Sequence, residues 1–153
     1  MRVIAIDPGT LRTGYAVFEI QNRSNRMLEC GLVVVRGKDL PERLLSVHRG
    51  IERLFRRLRP RHVAIERPFV GKNPRDGMTL NAARAVCMLA AAASKARVYE
   101  YAPAEVKRTV TGNGQASKDS VQRMVQATLG LREKPPPDAA DAIALALCHL
   151  NRL

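Results

Sequence analysis

The sequence predicts an α/β protein: a five-stranded mixed sheet, its second strand antiparallel, flanked by helices. Three observations lead there. Short apolar runs bounded by breakers recur at residues 3–6, 32–35 and 62–65, the pattern of buried strands. Elsewhere apolar residues recur at helical spacing, as in Leu44, Val47, Ile51, Leu54, Phe55 and Leu58. The first three strands are joined by links too short to hold a helix, so they form an antiparallel meander; later strands alternate with helices.

The first strand is β-branched at three of its four residues, Val3, Ile4 and Ile6, and Pro8-Gly9 turns the chain just behind Asp7. Residues 13–20 make the second strand, 21–26 a polar turn and 27–36 the third strand. Asp39 and Pro41 mark a helix start, and Pro60 ends that helix. Arg49, Arg53, Arg56, Arg57 and Arg59 lie largely off its apolar stripe. They read first as a solvated face and second as a DNA contact. Residues 62–65 form the fourth strand, with Glu66 at its end and Arg67-Pro68 breaking it.

A loop over residues 69–77 follows, carrying Lys72, Arg75 and Phe69. The aromatic either stacks on a base or anchors the loop to the fold. Residues 78–96 form an alanine-rich helix whose small side chains let a sheet or a symmetry mate come close. Residues 97–101 are the fifth strand, and 103–110 a short helical turn with Lys107 and Arg108. The glycine-rich stretch 111–116 lacks the ending of a Walker A loop. Ser117 then N-caps a helix with Val121, Met124, Val125, Thr128 and Leu129 on one face, closed by Gly130. The start of that helix, with Lys118, either holds a phosphate or is an ordinary capped end. Three prolines, Pro135 to Pro137, stiffen the entry to a last helix that carries Asp138 and Asp141.

Composition narrows the function. The chain has 153 residues, enough for one domain with a real core, here residues 1–153. Its 26 basic and 14 acidic residues give a formal charge of +12, which points to a polyanion, most simply nucleic acid, with a solubility surface as the plainer account. No apolar run approaches the ~20 residues of a membrane span. Asp7 and Gly9 interrupt the first apolar stretch, which does not read as a signal peptide. The expectation is a soluble intracellular protein. Cys30, Cys87 and Cys148 are widely spaced and read as three reduced thiols rather than a disulfide framework or a zinc site. His48, His62 and His149 are scattered and read as structural or surface residues.

Four carboxylates need a common explanation: Asp7, Glu66, Asp138 and Asp141. An acid at the tip of a buried strand is costly to place, and Asp7 and Glu66 share that design. Asp138 and Asp141 are three apart, so they share a helix face; the helix dipole favours acids there by only ~0.3–1 kcal/mol. If the strands of Asp7 and Glu66 are parallel neighbours, their ends lie ~5 Å apart. Four such charges repel, and divalent metal resolves the repulsion. Two ions ~3.5–4 Å apart would stabilise both oxygens of an in-line phosphodiester displacement.

The order β-β-β-α-β-α-β-α-α matches the ribonuclease H fold. Residues 5–10 (Ala-Ile-Asp-Pro-Gly-Thr) with Thr13-Gly14, residues 64–69 (Ala-Ile-Glu-Arg-Pro-Phe), residues 106–110 (Val-Lys-Arg-Thr-Val) and residues 138–144 (Asp-Ala-Ala-Asp-Ala-Ile-Ala) together resemble the RuvC family of bacterial Holliday junction resolvases. The resemblance covers essentially the whole chain. It implies a cytoplasmic homodimer that binds four-way DNA junctions and cuts two strands of like polarity symmetrically, in recombination and repair, with magnesium or manganese, two ions per site. It implies Asp7, Glu66, Asp138 and Asp141 as catalytic metal ligands, Phe69 as the stacking aromatic, Lys107 and Lys118 as DNA contacts, the helix at 78–96 as the dimer contact, and RuvA and RuvB as branch-migration partners. Some members carry histidine where this chain has Asp138, and residues 73–77 depart from the family pattern.

Two other readings compete. Asp-Pro-Gly-Thr with Thr13-Gly14 also resembles the phosphate-binding turn of sugar-kinase and actin-like ATPases, which need two such domains; 153 residues cannot supply both. A non-catalytic ribonuclease H-like binding or regulatory module should lack some of the acids, and all four are present.

Overall fold

The computed structural model describes residues 1–22, 24–67 and 74–153. Its elements run β1 (Arg2–Asp7), β2 (Arg12–Gln21), β3 (Ser24–Val34), α1 (Leu40–Leu58), β4 (His62–Glu66), α2 (Pro74–Ala93), β5 (Arg97–Tyr101), α3 (Pro103–Thr111), α4 (Lys118–Leu129) and α5 (Pro137–Leu150). The strands form one sheet in the order β3-β2-β1-β4-β5. β1 pairs antiparallel with β2 and parallel with β4, and β5 is parallel to β4. This is the mixed sheet with an antiparallel second strand that the sequence predicts.

Alternation along β1 sorts the side chains onto two faces. Val3 and Ala5 join Ala16, Phe18 and Ala64 in a core covered by α3, α4 and α5. Ile4 and Ile6 join Val17, Val63 and Ile65 in a second core under α1 and α2. α5 is buried along most of its length because Ala139, Ala140, Ala142, Ala144 and Ala146 intersperse its apolar residues and are small enough to lay the helix on the sheet. An amphipathic α1 starts where expected: Asp39 caps it by accepting from the Glu42 N–H at 2.9 Å. Ser117 likewise caps α4, and Gly130 closes it.

Several bounds differ from the sequence expectation. α2 begins at Pro74, so residues 74–77, expected in a loop, are its first turn; proline is favoured at that position because its missing N–H has no helical partner there. The same helix ends at Ala93 rather than Ala96. The expected turn at 103–110 is a nine-residue helix, α3, again opened by proline. β3 starts at Ser24, because the meander stays paired through most of the expected turn. α1 stops at Leu58, one residue before Arg59, whose left-handed φ of 46° ends it ahead of Pro60. All three cysteines are free thiols.

His149 is only 1% exposed and sits in a buried polar chain. Its Nδ1 lies 2.6 Å from the Tyr101 hydroxyl and its Nε2 3.0 Å from His62 Nδ1, so a neutral ring gives one hydrogen bond each way. Burial and the neighbouring His62 hold its pKa down at about 4. The unfolded chain protonates this ring near 6.5. The stability tied to the neutral ring is therefore complete above pH 6.5 and falls as pH drops toward 4. Between pH 7 and 4.5 the wild type is expected to lose about 2 kcal/mol more than His149→Gln, allowing for solvent screening. Denaturant titration of both proteins at the two pH values checks this; parallel losses would refute it.

Candidate active site

The register of the sheet places the first two carboxylates. β1 and β4 pair from Val3 with His62 through Ile6 with Ile65, and the next residue on each strand is Asp7 and Glu66. Both acids therefore stand side by side at the carboxyl end of two parallel strands, about 4.8 Å apart in backbone spacing. Arg84 fixes the second of them from α2: its Nε donates to the Glu66 carbonyl at 2.9 Å while its Nη2 pairs with Glu100 at 2.7 Å.

On the other side, Asp7 pairs with Gly14 of β2. The turn between them is closed by Thr13, whose buried hydroxyl meets both the N–H and the carbonyl of Gly9 at 3.3 Å. A Cβ on Gly9 would lie 2.0 Å from the Arg12 carbonyl oxygen, so the turn admits no side chain there. Gly14 is the seat of α5. A Cβ on it would lie 2.1 Å from the carbonyl oxygen of Asp138. The amino end of α5 thus rests directly on β2, which brings Asp138, and Asp141 one turn later, to the end of the sheet that carries Asp7.

Asp7, Glu66 and Asp141 line one cleft of about 490 Å³ together with Lys107, Lys118, Leu80, Val106 and Val121. Asp138 stands outside that lining. The carboxylates feel one another strongly. Burial, and then the charges of Asp141, Glu66 and Asp138, push the Asp7 carboxyl up to about 8. Burial raises Glu66 as well, with Asp141 adding and Lys107 and Lys118 opposing. Burial also raises Asp141, against the pull of Lys118. Behind Asp7, burial pushes the Cys87 thiol up to about 12, so it is an inert core residue rather than a nucleophile.

Two cations answer this charge. Arg12 Nε lies 3.2 Å from Asp138 Oδ2, and Lys118 Nζ lies 3.7 Å from Asp141 Oδ2. With these two acids turned to their partners, no three acidic, histidine or cysteine side chains among the described residues are gathered closely enough to hold an ion as they stand. The donor set fits a hard divalent cation in its chemistry: all oxygens, partly buried, and strained enough that Asp7 holds a proton near neutral pH.

The structure therefore brings together Asp7, Glu66, Asp141, Lys107 and Lys118, and sets Asp138 beside them on α5. Phe69 lies outside the described residues. Sequence reasoning missed three supports. Arg12 carried no signal beyond its place next to Thr13-Gly14. Gly14 stood in a recognised motif without its packing role. Arg84 had a faint signal, a lone cation in an alanine-rich helix.

The family model described as "Crossover junction endodeoxyribonuclease RuvC" matches residues 3–149. The chain belongs to the RuvC family. Among RuvC relatives, the protein of that description from Chloroflexus aurantiacus (strain ATCC 29366 / DSM 635 / J-10-fl) is 44% identical over 151 residues, covering 97% of this chain and 92% of its own. The one from Moorella thermoacetica is 44% identical over 153 residues, covering 99% and 92%. Among solved structures, Thermus thermophilus RuvC in complex with a Holliday junction substrate superposes with a TM-score of 0.87 at 33% identity, covering 97% of this chain and 92% of that one. The yeast mitochondrial Holliday junction resolvase Ydc2 shares the fold, with a TM-score of 0.69 at 12% identity, covering 97% and 78%.

Proposed function

We propose that the chain is a Holliday junction resolvase, a metal-dependent endonuclease that makes paired symmetric nicks in four-way DNA junctions during recombination and repair. The observation that carries this is the cleft in which Asp7, Glu66 and Asp141 meet Lys107 and Lys118, in a chain of the RuvC family. The junction-bound structure of the Thermus thermophilus relative supports the substrate. Nothing favours the non-catalytic module, which should lack some of the acids, whereas this chain has all four.

Asp7, Glu66, Asp138 and Asp141 are assigned as the metal-holding residues, for magnesium or manganese, two ions per site. When bound, the ions would supply charge stabilisation to the attacking and leaving oxygens of an in-line displacement. The chain's own part is positional. Two rigid strand ends fix Asp7 and Glu66, and α5 fixes Asp138 and Asp141. Arg12 and Lys118 hold the two helix acids and are free to turn to phosphate once those acids are engaged. Lys107 and Lys118 bind the phosphodiester at the cleft, and Phe69 stacks on a base near the crossover. Phe69→Ala is expected to lower cleavage more than junction binding, measured side by side; no change in either would remove the stacking role.

The homodimer assignment draws support from α2, which leaves Met78 and Leu89 73% and 64% exposed. A two-fold dimer carries one cleft per subunit and suits a junction of approximate two-fold symmetry. Family resemblance extends the proposal to RuvA and RuvB as partners and to the bacterial cytoplasm. No helix among the described residues is long and apolar enough to cross a membrane.

The deciding experiment is cleavage of a synthetic mobile four-way junction against linear duplex, with and without magnesium or manganese. Paired symmetric nicks that need both the junction and the metal are expected. Binding without cutting under both metals would replace this proposal with a regulatory module.

A further inference from the structure

α1 carries a row of arginines that the cleft leaves unused. Arg49, Arg53 and Arg57 follow at intervals of four, which stacks them on one helix face about 6 Å apart. Spacing alone fits a solvated surface. The structure instead sets them along one wall of a groove between α1 and the β3 edge of the sheet. Two adjoining parts of about 640 and 390 Å³ share Arg36, Ser46 and Arg53; the first is floored by Tyr15 and residues 32–34, and the second adds Arg49.

The groove is rigid. A Cβ on Gly50 would lie 2.3 Å from Val33 Cγ1, so α1 is pressed against β3. The Arg36 N–H donates to Ser46 Oγ at 3.0 Å and ties the end of β3 to the helix. Most of its charge is unspent. Arg57 is held by both carboxylate oxygens of Glu29. Arg36, Arg49 and Arg53 are exposed, and none of them pairs with a carboxylate among the described residues. Glu42, the single acid in the described lining, has its Oε2 engaged by the Lys38 N–H at 2.8 Å.

The groove also points at the cleft. β3 ends at Val34 opposite Arg12, the first residue of β2, and the Val35 N–H bonds the Leu11 carbonyl at 3.0 Å. Asp7 pairs with Gly14 on that same strand. The arginine track therefore begins at the sheet end that carries the carboxylates and runs away from it along α1.

We propose that Arg36, Arg49 and Arg53 form a second nucleic-acid contact, which grips the phosphate backbone of one duplex arm away from the cut. The identity of the duplex as a junction arm rests on the resolvase reading. Guanidinium forks match phosphate geometry, and an unpaired row of them is the footprint of a polyanion rather than of a single carboxylate. Successive phosphates of one strand advance about 3.4 Å along the duplex axis, so cations about 6 Å apart meet roughly every second one.

The test measures metal-free binding of the full chain to a long-armed junction, a short-armed junction and a linear duplex across a salt series. The combined variant Arg36→Gln, Arg49→Gln, Arg53→Gln is expected to bind the long-armed junction at least about tenfold more weakly. Its slope of log affinity against log salt should fall by about 2–3, at ~0.9 for each phosphate no longer neutralised. Its binding to the short-armed junction should match the wild type. Arg26→Gln, a change of one charge on an exposed residue outside the groove lining, should leave every value unchanged. The triple Arg→Lys variant should keep the wild-type slope, which separates missing charge from damaged fold. Wild-type affinity and slope in the glutamine variant would overturn the proposal and leave the row to a protein partner. An equal loss on both junctions would overturn it by placing the contact at the crossover. Should the wild type show no preference for a junction over duplex, the resolvase reading fails, while a duplex-affinity loss in the variant still supports the groove.

Discussion

Asp7→Asn is expected to lower junction cleavage by roughly 10³-fold or more while junction binding survives. Asp7 closes β1 beside Glu66 and under α5, so it is the acid that every other acid of the cleft acts upon. The amide keeps its shape and removes its charge. The same substitution should stabilise the metal-free protein. A carboxyl raised from 3.8 to about 8 contributes stability that is complete below its unfolded value and lost as pH rises through the folded one. Across that window the wild type loses on the order of 5 kcal/mol, and the asparagine variant does not. Denaturant titrations in chelator should show the variant gaining on the wild type from pH 4 to pH 8. Magnesium should rescue the wild type at pH 8 and leave the variant unmoved. Retained cutting would sink the catalytic assignment. A pH profile shared by the two proteins would sink the electrostatic account of the cleft.

Gly14→Ala is expected to damage stability and chemistry together. Its methyl group would sit 2.1 Å from the Asp138 carbonyl oxygen and 2.7 Å from the carbonyl carbon. These are backbone atoms of a helix packed in the core, so no side-chain rotation relieves the overlap. α5 must lift or β2 must bend. Overpacking of this kind costs about 1–3 kcal/mol. Displacing Asp138 and Asp141 by even about 1 Å costs cleavage on the order of 10²-fold. Gly31→Ala on β3 is the matched control. The nearest atoms to its methyl group would be those of the Tyr15 ring and hydroxyl, at 3.0–3.2 Å, which a side chain can yield. It should keep cleavage within a few-fold of wild type. A Gly14→Ala protein with wild-type stability and cleavage would mean that α5 is not seated on β2 as described.

The parts of the site written locally were legible. A short apolar strand, an acid and a proline make Asp7 and Glu66 conspicuous, and an acid inside an alanine-rich helix does the same for Asp141. The meander and the alternation of later elements were enough for the fold. What the sequence hid depends on packing between distant segments. Gly14 against Asp138, Arg12 beside it and Arg84 on the Glu66 carbonyl have no periodicity to betray them. Residues 73–77 read as a loop because asparagine, proline and glycine crowd there, yet proline at the first helical position starts α2 instead of blocking it. The arginines of α1 illustrate the same limit. Spacing put them on one side of a helix, and only the packing of α1 on β3 turned that side into the wall of a groove.

Asp7 lies on the first strand, and Asp138 and Asp141 lie on the last helix, which also fills the middle of one core. A chain in which α5 has not yet docked holds half a cleft and an uncovered sheet face. The cleft and that face of the sheet are therefore completed by one docking step. On the proposed assignment of the four acids, a chain clipped before α5 lacks two of its metal-holding residues, and strand cutting then waits on the docking of that helix.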